Sequence, residues 1–64
     1  MIDEMTLWHA YRRAALTHNR DRSPANADTL RAAHAVWVRD FCPEDAETMI
    51  AEMAARLAEA ALAA

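Results

Sequence analysis

Apolar residues recur at steps of three and four along most of the chain, the spacing that lines one face of an α-helix. The pattern is strongest near the end, where Ala46, Met49, Ile50, Met53, Leu57, Ala60 and Ala61 follow it. Cys42-Pro43-Glu44-Asp45 stands just ahead. Proline at the first helical position and acids in the first turn both suit the unpaired N–H groups there, so a third helix is expected over 43–62. A middle segment carries Leu30, Ala33, His34, Trp37, Val38 and Phe41 on one face. It opens with Ser23-Pro24, in which Ser23 can cap and Pro24 can begin the helix, with Asn26 as a rival cap. Its end is set by Pro43, because the residue before a proline is pushed out of the α region, giving a second helix over 24–40.

The first helix is expected over 3–18. Leu7, Ala10, Tyr11, Ala14, Ala15 and His18 share a face, with Trp8 at its edge. Asp3 can cap it and Ile2 can pack back onto Leu7. The polar run from His18 to Arg22 breaks the pattern and reads as a loop. The expectation is therefore an all-α chain, a small three-helix bundle forming one domain over 1–64. Leu7, Trp8, Tyr11, Leu30, Trp37, Phe41, Ile50, Met53 and Leu57 supply its centre. Short connections favour antiparallel neighbours.

The third helix has more apolar circumference than one covered flank requires. Ile50, Met53, Ala54, Leu57, Ala58 and Ala61 are the candidate self-association residues. Ile50, Leu57 and Ala64 fall in heptad step, with Met53 and Ala60 between them. The plainer account is that alanine, the best helix former, fills positions facing water. The seam spans two heptads, short of the roughly three to four that define a coiled coil. A chain of 64 residues is near the size at which a lone core is marginal, which favours a homodimer completed through this helix. On the first helix, Met5, His9, Arg12 and Leu16 line the side opposite the core face and form a candidate partner-binding stripe.

Composition narrows the choices. There is no Gly and there are only two Pro, which disfavours sheets and Gly-rich phosphate loops. The single Cys excludes an internal disulfide, and nothing resembles a leader or a spanning segment, so a cytoplasmic location is expected. The net charge of −3 is unevenly laid out. Residues 9–39 hold six Arg against Asp21 and Asp28, whereas residues 40–64 hold six acids against Arg56. Such asymmetry can steer association.

Candidate chemistry is thin. His9, His18, His34 and Cys42 lack metal-ligand spacing, and His34 on the core stripe reads as a buried, hydrogen-bonded histidine. Cys42 reads as a structural residue near a helix end, although a helix dipole can lower a thiol pKa. Glu44, Asp45 and Glu47 complement a helix start. No cofactor, metal site or catalytic grouping is expected, and so small a chain does not enclose a substrate pocket by itself. Nucleic-acid contact through Arg12, Arg13, Arg20 and Arg22 is the rival class. Against it, a helix-turn-helix built from the last two helices would point Glu44, Asp45, Glu47 and Glu52 at phosphates. The last helix also has an acidic polar face, wrong for an anionic membrane surface. The expected function is that of a non-enzymatic helical protein–protein interaction module: an inhibitor, adaptor or assembly subunit, of the size class that phages and other mobile elements use against host proteins.

Overall fold

Three helices account for most of residues 4–63, the part of the chain that the computed structural model describes: α1 (Glu4–Arg20), α2 (Pro24–Phe41) and α3 (Ala46–Ala63). No strand occurs among the described residues. The start of α2 follows the expected chemistry. Ser23 is extended, its hydroxyl accepts from the Asn26 N–H at 3.2 Å, and Pro24 stands in the first turn. Asn26 does not cap; its side-chain amide donates to the Asp21 carbonyl at 2.8 Å and ties down the connection 21–23. That connection is shorter than expected because α1 continues past His18, with the Asp21 N–H donating to the Thr17 carbonyl at 3.0 Å. The expected Asp3 cap and the Ile2–Leu7 contact lie outside the described residues, as does Ala64.

The start of α3 differs from the expectation. Pro43, Glu44 and Asp45 form a turn rather than the first helical turn. The Cys42 N–H donates to the Val38 carbonyl at 2.7 Å and ends α2, and the Asp45 N–H then donates to the Cys42 carbonyl at 3.1 Å. The helical bonds resume from the Asp45 carbonyl, which accepts from the Met49 N–H at 2.9 Å. Pro43 serves the reversal between α2 and α3, and proline suits a tight turn as well as a helix start.

The core is smaller than its largest side chains suggest. Leu7, Ala14, Leu30, Val38, Ala46 and Leu57 are buried together with His18 and His34, and Val38 is fully enclosed at 0% exposure. Ala14, Leu30 and Leu57 make one cluster drawn from all three helices, against which Tyr11, Ala15, Ala27, Ala33 and Met53 pack. Trp8 and Phe41, expected at the centre, sit at its edge with 39% and 37% exposure. They close the flank of an aromatic group rather than the middle of the bundle.

Helix α2 packs against both neighbours, but among the described residues no Cα of α1 lies within 8 Å of one in α3. Helices in direct contact, with axes about 8–10 Å apart, would bring many such pairs together. The bundle is thus open on the side where its outer helices would meet. Its principal extents are 36 × 22 × 12 Å, nearly twice as wide as thick. The radius of gyration, 11.7 Å, exceeds the roughly 10.7 Å of an average domain of this length. The accessible surface of 4762 Å² exceeds by about 600 Å² the roughly 4100 Å² of a compact monomer of this mass.

Candidate functional site: the open face between the outer helices

The floor of the open side is α2. Tyr11 of α1 meets His34 edge-on at 5.2 Å between ring centroids and stacks on Trp37 at 5.7 Å. Trp8 packs on Trp37 at 5.5 Å and Tyr11 at 5.6 Å, and Trp37 reaches Phe41 at 6.2 Å. Five rings therefore form one continuous group joining α1 to α2. Such contacts contribute about 0.5–1.5 kcal/mol each beyond the area they bury.

His34 is buried, as expected from its place on the stripe, but its Nδ1 has no hydrogen-bond partner, and neither does the buried Trp37 Nε1. Burial pushes the His34 imidazole below its ordinary pKa, and the Arg56 guanidinium on α3 adds to the shift by disfavouring a second positive charge.

The residues of α3 singled out for self-association divide by exposure. Leu57 is spent on the internal cluster with Ala14 and Leu30. Ile50, Met53 and Ala54 are half-buried, and Ala58 and Ala61 are exposed. Ala54, Leu57, Ala58 and Ala61 also line a groove of about 250 Å³, facing His18, Arg22 and Arg31 at the α1–α2 turn. The alanine flank thus looks onto this chain's own α1–α2 turn across an unfilled gap.

On α1, Met5, His9, Arg12 and Leu16 are all exposed, Met5 at 57% and Leu16 at 43%, while Leu7, Ala14 and His18 on the opposite side are buried. Arg12, Arg13, Arg20 and Arg22 are likewise exposed but are not gathered on one surface. Arg22 borders the groove beside α3, whereas Arg13 borders a separate groove of about 200 Å³ between α1 and α2 with Thr17, Asn26 and Thr29. Arg31 pairs with Asp28. Cys42 is half-buried at the α2 terminus, and Glu44, Asp45 and Glu47 are exposed beside it.

Sequence periodicity missed the openness of the fold, and with it the partly bared aromatic edge. The available signal was the weak core face of α1, where alanines surround a single Tyr11: small residues fill little of the space between outer helices. Among the described residues, no three His, Cys, Asp or Glu side chains are placed to hold a metal ion, and no helix is long and apolar enough to cross a membrane. No family model, curated protein or solved structure matches the chain.

Proposed function

We propose that this chain is a non-enzymatic protein–protein interaction module that associates with itself through α3 and offers the Met5–His9–Arg12–Leu16 stripe of α1 to a protein partner in the cytoplasm. One observation carries the reading: among the described residues no Cα of α1 lies within 8 Å of one in α3, and large apolar side chains stay exposed, Met5 and Leu16 on the outer side of α1 and Trp8 and Phe41 at the edge of the aromatic group. Ile50, Met53 and Ala54 supply the α3 contact, with Ala58 and Ala61 extending it toward the C-terminal end and Leu57 bracing it from beneath.

Association that favours the folded state makes thermal stability depend on protein concentration. The midpoint is expected to rise by several degrees between micromolar and millimolar chain; an unchanged midpoint over that range would reject self-association. The rival reading, nucleic-acid contact through Arg12, Arg13, Arg20 and Arg22, draws on their exposure. It requires affinity for random duplex that falls steeply as salt is raised. The dispersal of these arginines over different grooves weighs against it, and absence of binding at low salt removes it.

A further inference from the structure

The groove between α3 and the α1–α2 turn has two unlike sides. Ala54, Leu57, Ala58 and Ala61 make its α3 wall wholly apolar, while His18, Arg22, Asp28 and Arg31 bring polar groups to the other. Asp28 is already engaged by Arg31. Arg22 is exposed and has no carboxylate partner among the described residues. His18 is only 8% exposed, yet no hydrogen bond among the described residues takes either of its ring nitrogens. Those nitrogens are not sealed off as the Nδ1 of His34 is, so their accessible side is the groove that His18 lines. Buried polar side chains normally find a partner, and an imidazole offers an N–H donor in either charge state. The groove therefore joins an unpaired guanidinium and an unspent imidazole to an apolar wall.

We infer that this groove binds a small monocarboxylate with a short apolar body. Arg22 and His18 hold the carboxylate, and the hydrocarbon lies on Leu57, Ala58 and Ala61. Charge sets the valence. With His18 counted as neutral, Arg22 and Arg31 against Asp28 leave the groove at +1, in a chain whose net charge is −3. One negative charge is matched there, whereas the second charge of a dianion would meet Asp28 with no cation to spare. Helix dipoles do not decide the sign, because the positive start of α2 and the negative end of α1 both border the turn. The planar fork of a guanidinium takes a carboxylate through two parallel hydrogen bonds, which favours that group over a halide.

Size narrows the choice further. The volume of about 250 Å³ is the liquid share of about eight water molecules at roughly 30 Å³ each. An occupant of on the order of eight to ten non-hydrogen atoms fits, the size of hexanoate or benzoate. An apolar lining with a few placed polar groups is the usual build of a small-molecule site. The inference stands apart from self-association, although both draw on Ala54, Leu57, Ala58 and Ala61. A second copy on these residues would compete with the ligand, so dilute chain is the proper test.

That test is a titration of dilute, isotope-labelled chain with sodium hexanoate and with sodium benzoate, followed by chemical shift. Both are expected to saturate with a dissociation constant of about a millimolar or tighter. The signals of Arg22, Ala58 and Ala61 should move, and those of Ala10 and Thr29 in the other groove should not. Benzamide keeps the ring without the charge, and acetate keeps the charge without the body; each is expected to bind at least about tenfold more weakly. Arg22→Gln should weaken hexanoate at least about tenfold. Ala58→Leu, at an exposed helical position, fills the groove while leaving both arginines in place, and should abolish binding with helicity unchanged. No saturable shift at these residues, benzamide binding as tightly as benzoate, or hexanoate binding undiminished in both variants would overturn the site. Inorganic phosphate binding as tightly as hexanoate would overturn its assignment to a monocarboxylate.

Discussion

Helix α2 meets its two neighbours with different materials. Toward α1 it presents Trp37 and His34, and Trp8 and Tyr11 answer with ring contacts 5.2–5.7 Å apart. Toward α3 it presents Leu30, with Ala27 and Arg31 alongside, and α3 answers with Leu57, Ala54 and Ala58. Large rings concentrate buried area and dispersion in a few side chains, whereas alanines allow close approach but fill little volume. The first contact holds a helix in place; the second leaves a groove of about 250 Å³. The difference explains why the unfilled space lies beside α3.

The largest expected effect breaks the aromatic side. Trp37→Ala removes the hub that touches Trp8, Tyr11 and Phe41 and is expected to cost about 3 kcal/mol or more. A domain of this size holds only about 3–5 kcal/mol from its core, so near-ultraviolet circular dichroism and helicity should be lost together. Leu57→Ala is expected to cost less, about 2 kcal/mol, because the gap beside it is already unfilled. It should loosen α3 while the near-ultraviolet signal of the α1–α2 rings survives. Equal loss of that signal in both variants would show that the two contacts are not separable.

The smallest effect belongs to pH, since one group carries it. His34 has a pKa below 6.5 in the folded chain, so its neutral form belongs to the fold. The unfolded chain therefore takes up a proton more readily. The stability due to His34 is fully present above pH 6.5 and declines as pH falls from there through the lowered folded value. Urea midpoints measured between pH 7.5 and 5 are expected to fall, with a shallower slope in His34→Gln. An unaltered slope in that variant would assign the acid sensitivity to other groups.

Much of the fold was legible in the residues themselves. The three-and-four spacing located all three helices, and Ser23-Pro24 marked the start of α2 because its hydroxyl and fixed φ suit only a few local geometries. Pro43 misled because a proline fits a turn as readily as a first helical position. Only the bond from the Asp45 N–H to the Cys42 carbonyl decides between them. The exposed stripe Met5–His9–Arg12–Leu16 was visible as the side opposite Leu7, Ala14 and His18. The separation of α1 from α3 was not visible. Periodicity tells which face of a helix is apolar, but not the angle at which two neighbours grip a third.

The central claim is that a second polypeptide completes the bundle, and sedimentation equilibrium tests it most directly. The account predicts a mass twice the chain's 7.2 kDa at concentrations where helicity is full. A folded species that stays at 7.2 kDa up to millimolar concentration would contradict it.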